Sequence, residues 1–457
     1  MSAYAAERSL RVFERPAVVD GNGPAEFAPL AVNPTHLVLA SPTHLVIFRK
    51  ANATQGDTVE IARRNVREFW GHAPGSLDRF TDPDISYDAD SGRFFVVYGD
   101  TTPGNNQILL AVSKSSLPET LDDTDWYRYR LPRNDTADEG DFDHLAFAGN
   151  RLLISWQRTR RPATGPLGDG TMIRVLDKRP FLVGELPQIA AVDFVIPSER
   201  NLRARPASLS LARDREVDRV FFDVSSQCGA GQRWSWRIAA LTNIAATPVL
   251  SERDVASQFP CFNAPTQVPQ PDGAPSLSVA RLAADPVYRD GRLWVFEWNG
   301  PRDGASSGAY WAEFDVRGWP DDVRLVQSGV HEKPGLWIIA SAGALDVEGN
   351  LVLTFTGVGR NRYPAMSVTG RLATDPDGTL HADVTVNEAA RAWQMASSRL
   401  SVVMGAVADE TDGGVWIAGT LPAPTRLLGS VDSAAITVAK VTFTTAEAIA
   451  ETLPARR

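Results

Sequence analysis

Acidic and histidine side chains stand just before short hydrophobic runs in this sequence. Asp82 and Asp84 precede the alternating run at residues 85–87, and Asp141 and His144 lie at the start of a similar run. Asp and His are common proton-transfer groups, provided that neighbouring groups shift their pKa values towards the working pH. Asp84, Asp141 and His144 are therefore the predicted acid–base residues.

Arginines and aromatic residues stand at the starts and ends of other predicted strands and in the loops between them. Arg side chains bind carboxylates or phosphates through two parallel hydrogen bonds, and Trp faces stack on sugar rings. This combination favours a polar or anionic carbohydrate-like ligand. The predicted ligand-binding residues are Asp82, Trp156, Arg205, Arg281, Trp298, Arg360, Arg362, Tyr363 and Arg399. The structural alternative for each is a turn-capping Asp, a solvated Arg or a Trp packed between sheets.

No metal or cofactor is expected. The densest cluster, Asp141-Phe142-Asp143-His144, brings only two donors to one side of a strand, whereas a metal site needs at least three. The turn at residues 88–92 resembles the start of a calcium loop but lacks the downstream Glu, so a hairpin turn is predicted.

The elements that carry these residues repeat along the chain. Residues 80–113 show a strand, an Asp/Gly turn, a strand, a loop and a third strand, which is the pattern of an antiparallel meander. Six further copies begin near Thr35, Asp141, Arg205, Ala284, Ala340 and Val402. One β-propeller blade is a four-stranded meander of roughly 40–50 residues. The prediction is all-β: one seven-bladed β-propeller domain of four-stranded antiparallel blades over residues 1–457.

Two segments depart from the repeat. The last copy is one strand short, so residues 10–13 of the N-terminal segment 1–33 are predicted to close the ring beside residues 434–443. Residues 251–273 contain four prolines and are predicted to be a long loop insertion that covers the body. In a propeller the inner strands begin at one face of the channel, so the candidate residues are expected to meet at one channel mouth.

Charge and hydropathy exclude several functions. The net charge is −9 and no Lys/Arg run exceeds three residues, so nucleic acid binding is not expected. No apolar run is long enough for a transmembrane helix. The first residues contain no apolar leader as written, so an extracytoplasmic location is expected only if a leader was removed. Cys228 and Cys261 could form a disulfide or remain two thiols, and neither is part of a CxxC pair.

Several stretches resemble a family of bacterial seven-bladed β-propeller proteins, mostly exported and mostly of unassigned chemistry, with a distantly sialidase-like architecture. They are FWG at 69–71, DPDISYDADSGRFFVV at 82–97, VPQPDG at 268–273, YPAMSVTGRLATDPDGTL at 363–380, and Arg399 with the later AVADETDGGVWIAGT. The resemblance implies the fold, and a fold alone does not imply a function. The family's last blade opens with Arg-Trp-Gly-Asp-Tyr, and here Val402 replaces the Asp.

Three functions follow from these residues. The first is a propeller that binds a polar or anionic carbohydrate-like ligand at the mouth of the channel. The second is a glycoside hydrolase or lyase that uses Asp and Arg residues at the same face. The third is a structural or protein-interaction propeller without a small ligand. Whether the protein is an enzyme stays open at this point.

Overall fold

Seven antiparallel blades of four strands each form a ring in the computed structural model, and their strands pair in chain order except in blade seven, where the N-terminal strand is the fourth. They confirm the all-β, seven-bladed β-propeller that the repeats predict. The structure describes residues 8–20, 27–51, 57–72, 80, 82–102, 105–133, 138–160, 170–186, 192–197, 204–209, 218–224, 234–259, 267–279, 284–299, 306–393, 404–423 and 434–444.

The blades are numbered in chain order, and the first strand of each lies innermost. Blade one contains Leu30–Val32, His36–Ala40, His44–Arg49 and Val59–Asn65. Blade two contains Asp84–Asp88, Arg93–Asp100, Gln107–Ser113 and Trp126–Pro132. Blade three contains Asp138–Ala148, Arg151–Arg160, Gly170–Asp177 and Val192–Pro197. Blade four contains Ala204–Pro206, Arg219–Val224, Ser235–Thr242 and Val249–Ala256. Blade five contains Val287–Arg289, Arg292–Asn299, Gly308–Gly318 and Asp322–His331. Blade six contains Trp337–Leu345, Leu351–Gly359, Arg362–Arg371 and Val384–Glu388. Blade seven contains Gly405–Ala408, Val415–Pro422, Ala434–Thr444 and Ser9–Asp20.

Several short elements lie outside this pattern. Ser208–Leu209 pairs in parallel with the inner strand of blade five and so bridges blades four and five. A short α-helix, Val66–Phe69, follows blade one, and a 3-10 helix, Pro180–Val183, follows the third strand of blade three.

Asp-Gly sequences form the tight turns that the repeat predicts. In blade five, Arg289 pairs with Arg292 across the two-residue turn Asp290-Gly291. Both turn residues have positive φ, 51° and 75°. A type I′ hairpin turn requires this backbone, and its twist matches that of the flanking strands.

The N-terminal strand Ser9–Asp20 closes the ring as the outermost strand of blade seven. It runs antiparallel to Ala434–Thr444, with Leu10 opposite Phe443. The strand was predicted over residues 10–13 and is longer than expected. Its pairing covers the edge that the last three strands of the chain would otherwise leave open.

Two buried ion pairs join neighbouring blades at equivalent places. Lys50 lies 2.5 Å from Asp409, and Lys178 lies 2.7 Å from Asp88. Each lysine follows the third strand of its blade, and each aspartate stands at the end of the inner strand of the preceding blade in the ring. Removing one partner of such a pair leaves a buried, uncompensated charge, which typically costs about 3–5 kcal/mol.

The segment predicted as an insertion at 251–273 begins later than expected, because residues 251–256 belong to the outer strand Val249–Ala256. In its described remainder, Gln267–Val268 pairs with Leu277–Ser278. Gln270 Oε1 accepts a hydrogen bond from the backbone N–H of Trp393 at 2.8 Å, and Gln270 Nε2 donates one to the backbone carbonyl of Trp393 at 3.0 Å. The segment is therefore held against the connection that leads from blade six to blade seven.

Two other expectations concern the chain at large. Within the described residues, none of the helices has the length and apolar character required to cross a membrane. Cys228 and Cys261 lie outside the described residues, so the disulfide remains a prediction.

We predict that Leu10→Ala destabilises the protein by about 2–4 kcal/mol, because it removes a buried side chain from the closing strand. Leu10 is 2% exposed, whereas its neighbour Arg11 is exposed. Arg11→Ala is the matched control and should change the free energy of unfolding by at most about 0.5 kcal/mol. Denaturant unfolding measures both values, and equal effects of the two variants would contradict the closing role.

Candidate functional site

Four ionisable residues share one level of the central channel. Asp84, His144 and Arg205 lie on the inner strands of blades two, three and four, and each pairs with the fifth residue of the second strand of its blade. Asp285 precedes the inner strand of blade five and stands four residues before Arg289, the last residue of that strand, just as Asp84 stands four residues before Asp88 at the end of its strand. Propeller geometry therefore brings four distant residues to one height around the axis.

The four side chains are close enough to interact directly. His144 Nδ1 lies 3.5 Å from Asp285 Oδ1 and 3.9 Å from Asp84 Oδ2. Arg205 Nη1 donates a hydrogen bond to Asp285 Oδ1 at 3.0 Å. The cluster thus combines two carboxylates, an imidazole and a guanidinium, which we call the channel cluster.

Asp84 is buried and held by backbone hydrogen bonds. Its Oδ1 accepts from the N–H of Ile85 at 2.7 Å, and its Oδ2 accepts from the N–H of Leu145 at 2.8 Å. Burial, reinforced by the charge of Asp285, nevertheless raises the pKa of Asp84 well above its ordinary value. A carboxyl group whose pKa is raised in this way can hold a proton and donate it to a ligand.

A buried ion pair fixes the strand beside His144. Asp143, the preceding residue, accepts two hydrogen bonds from Arg133, at 2.6 and 2.8 Å, and neither side chain is exposed to solvent. Burial raises the pKa of Asp143, although Arg133 opposes that shift. The pairing register of the inner strand shifts between Asp141 and His144. Asp143 therefore anchors the strand in the protein while His144 lines the channel cavity.

Arg205 is fully buried, and part of its hydrogen-bonding capacity is unused. Its Nε and Nη2 atoms have no hydrogen-bond partner in the structure as described, and only Nη1 bonds Asp285. These two atoms form the side-on edge that grips a carboxylate with two parallel bonds. Arg174 uses that edge on Asp193, at 2.9 and 3.0 Å. Buried donors without acceptors are costly, which makes Arg205 an unsatisfied anion-binding group.

A cavity of about 290 Å³ contains the cluster and lies on the propeller axis, because the first strands of all seven blades contribute to its lining. Its lining also includes the polar residues Asn33, Asp409 and Glu410 and the apolar residues Leu30, Val287, Ala342, Met404 and Val407. Apolar walls with a few convergent polar groups are the usual composition of a small-molecule site.

Asp84, His144 and Asp285 also form a potential metal-ligand set. One donor atom from each lies within 4.8 Å of the others. The two donors that the sequence placed on one side of a strand, Asp141 and Asp143, are not in this set, which draws one residue each from blades two and three and from the connection into blade five. The guanidinium of Arg205 already supplies positive charge at Asp285, so the residues fit anion binding or proton transfer better than they fit a cation.

The predicted site residues fall into three groups. The structure brings Asp84, His144 and Arg205 together in the cavity. The side chain of Asp141 and all of Arg281 and Arg399 lie outside the described residues. Among the described residues that line the cavity, Asp82, Trp156, Trp298, Arg360, Arg362 and Tyr363 do not appear.

These other residues have structural surroundings. Trp156 is 3% exposed, with the guanidinium groups of Arg133 and Arg174 5.7 and 5.2 Å from its ring, and Trp298 lies in the hydrophobic core. Arg362 donates hydrogen bonds to the side chains of Ser367 and Thr385. Tyr363 donates a hydrogen bond to Asp272, and the side chain of Arg360 is exposed. Buried tryptophans pack the blades, as the structural alternative anticipated. A ligand-binding role for these residues remains a prediction.

Asp285 is the residue that sequence reasoning missed. Its signal is the dipeptide Asp285-Pro286 immediately before the inner strand of blade five. Aligning the repeats on their first hairpin turn would have placed it level with Asp84.

Comparison with known proteins locates the fold. No protein-family model matches the chain, and no curated protein matches its sequence. Similar solved structures include an ulvan lyase of a polysaccharide lyase family, bound to -[GlcA(1-4)Rha3S]-, at 11% identity, with 99% of each chain covered and a TM-score of 0.47. A Trypanosoma rangeli sialidase in complex with the inhibitor DANA is 11% identical, covering 96% of this chain and 61% of the sialidase, with a TM-score of 0.40.

A Penicillium chrysogenum alpha-L-arabinanase complexed with arabinobiose is 9% identical, covering 94% of this chain and 97% of the arabinanase, with a TM-score of 0.40. The protein is a seven-bladed β-propeller, and its structural neighbours include carbohydrate-active proteins. At these identities and TM-scores the neighbours assign neither ligand nor reaction to this chain.

We predict that the stability of the wild type declines relative to Asp84→Asn as the pH rises. Because the pKa of Asp84 is raised in the folded state, its contribution is fully present below the ordinary Asp pKa, about 3.9, and is lost as the pH rises through the raised value. The lost acceptor of the Asn variant adds only a constant offset. Thermal unfolding between about pH 4 and pH 8 measures the difference in Tm.

Asp177→Asn is the control for this experiment. Arg179 lowers the pKa of Asp177 to about 2, so the Tm difference for that variant should stay constant over the same pH range. If the Tm difference between the wild type and Asp84→Asn also stays constant, the raised pKa of Asp84 is contradicted.

Proposed function

We propose that the protein binds a small polar or anionic carbohydrate-like ligand in the cavity at the mouth of its central channel. The observation that carries this proposal is the channel cluster, in which Asp84, His144, Arg205 and Asp285 meet at one level. Clusters of buried, mutually perturbing charged groups occur preferentially at functional sites.

The chemistry of the cluster suits such a ligand. Arg205 offers unused donors to an anionic group. A protonated Asp84 can donate to a hydroxyl, and the imidazole of His144 can donate or accept according to its tautomer. Leu30, Ala342 and the other apolar walls can contact the faces of a sugar ring. The volume of about 290 Å³ is at the lower end of ligand pockets, which favours a ligand of monosaccharide size.

A lyase reaction at the same cluster is the second candidate. The observation that favours it is an imidazole next to a guanidinium and a proton-holding carboxyl. In β-elimination from a uronic acid residue, a base such as His144 removes the proton next to the carboxylate. The electron pair forms the carbon–carbon double bond, and the glycosidic oxygen leaves with a proton from an acid such as Asp84. Arg205 would stabilise the negative charge that develops on the carboxylate.

Hydrolysis at the same cluster would use Asp84 and Asp285 as its two carboxyl groups. One donor oxygen of each lies within 4.8 Å of the other, which is nearer to the separation of about 5–5.5 Å in retaining glycosidases than to the roughly 6.5–9.5 Å in inverting ones. The described cluster contains no feature that favours hydrolysis over elimination.

We predict that His144→Gln weakens binding of an anionic monosaccharide about tenfold or more, because the amide cannot place its donor and acceptor where the two imidazole nitrogens stand. Isothermal titration calorimetry with neutral and anionic monosaccharides measures the affinities. His381→Gln is the matched control, since His381 pairs with Asp375 and is not among the described residues that line the cavity. Equal affinities for both variants would place the ligand elsewhere, and no binding of any saccharide by the wild type would remove the proposal.

The lyase candidate has a separate test. Incubation with polymeric uronates should release products with an unsaturated ring, detected by their ultraviolet absorbance, and His144→Gln should abolish the signal. If the wild type binds uronates without producing this absorbance, the binding function stands and the lyase is excluded.

A further inference from the structure

Asp285 differs from the rest of the channel cluster in its exposure. Its side chain is 38% exposed, whereas those of Asp84, His144 and Arg205 are 10%, 8% and 1% exposed. It lies on the connection into blade five, outside the regular strand that begins at Val287. Asp285 is therefore the member that can move most easily without disturbing the core.

Asp285 satisfies only part of the hydrogen-bonding capacity of Arg205. It accepts a single hydrogen bond, from Nη1, and leaves the Nε–Nη2 edge without a partner. The same edge of Arg174 holds the carboxylate of Asp193 by two bonds. A planar anion on this edge of Arg205 would accept two charge-assisted bonds, whereas Asp285 accepts one.

Asp285 is also unfavourably placed with respect to Asp84. Donor oxygens of the two side chains lie within 4.8 Å of each other. Burial is the main cause of the raised pKa of Asp84, and the charge of Asp285 adds to it. Departure of Asp285 from the cluster would relieve this repulsion.

We propose that Arg205 is the subsite for the carboxylate of a uronic-acid sugar and that Asp285 occupies the guanidinium until this carboxylate displaces it. The proposal rests on the ligand-binding function above and narrows its ligand to a class. Arg205 belongs to the lining of the cavity but is 0% exposed, so a ligand reaches its guanidinium when the cluster opens, and Asp285 is the most exposed member of the cluster. Asp285 is thus a specificity-determining residue, since a neutral sugar cannot replace its charge on Arg205.

The test compares D-glucuronate with its methyl ester, which has the same ring without the charge. Asp285→Asn should bind D-glucuronate about tenfold more tightly than the wild type, because the variant removes the competing charge. Its affinity for the methyl ester should rise far less, because the ester has no negative charge that competes with Asp285. Arg205→Lys should lose the preference for D-glucuronate over the ester, since an ammonium group has no bidentate edge. Titration calorimetry measures all of these affinities.

Asp177→Asn is the matched control, because it neutralises the carboxylate of an exposed Arg–Asp pair with Arg179. It should leave both affinities unchanged. If Arg205→Lys does not fold, the Asp285→Asn comparison still decides, since Asp285 is partly exposed. Unchanged or weakened binding of D-glucuronate by Asp285→Asn overturns the proposal.

Two further outcomes distinguish this proposal from the binding function above and from general carboxylate binding. If the methyl ester binds as tightly as D-glucuronate to the wild type, and His144→Gln weakens both, the binding function stands and the carboxylate subsite falls. If acetate competes as effectively as D-glucuronate, the subsite accepts carboxylates in general and the uronic-acid sugar is overturned. Absence of binding by any sugar removes both proposals.

Discussion

Pairing of sheet edges is the constraint on which the rest of this structure depends. Each blade is a four-stranded sheet, and blade seven is complete only because Ser9–Asp20 pairs with Ala434–Thr444. Strand edges that are left open expose unpaired N–H and C=O groups and invite pairing with other chains. Once the edge is covered, apolar side chains pack between neighbouring blades, and the hydrophobic clusters extend from one sheet to the next.

The channel cluster is a consequence of this closed arrangement. Asp84 and Leu145 are 61 positions apart, and Arg205 and Asp285 are 80 apart, yet both pairs are joined by hydrogen bonds. Equivalent positions of successive blades meet at one height because each blade repeats the same pairing register. The position of the cavity therefore follows from the backbone arrangement of the blades, and the sequence determines which side chains line it.

The charges of the cavity are only partly balanced. Lys50–Asp409 and Lys178–Asp88 are compensated pairs at the other end of the inner strands. In the cluster, by contrast, two aspartates approach each other while Arg205 keeps donors unused. Proteins tend to retain local conflicts of this kind at functional sites, where a ligand resolves them. This contrast between the two ends of the channel supports a ligand site at the level of Asp84.

The sequence by itself determined the architecture of this protein, because alternating strands and the turn residues between them are local signals that recur along the chain. It also indicated Asp84, His144 and Arg205, since each stands in or near the start of a repeat. Only the tertiary structure decided that these three meet Asp285, because hydrophobic periodicity does not specify the height of a side chain along the channel. It likewise decided that Trp156 and Trp298 are buried, since an aromatic residue at a strand end can face either a neighbouring blade or a ligand. Which side chains share a cavity depends on the register of several sheets at once, and that register is established by packing between blades.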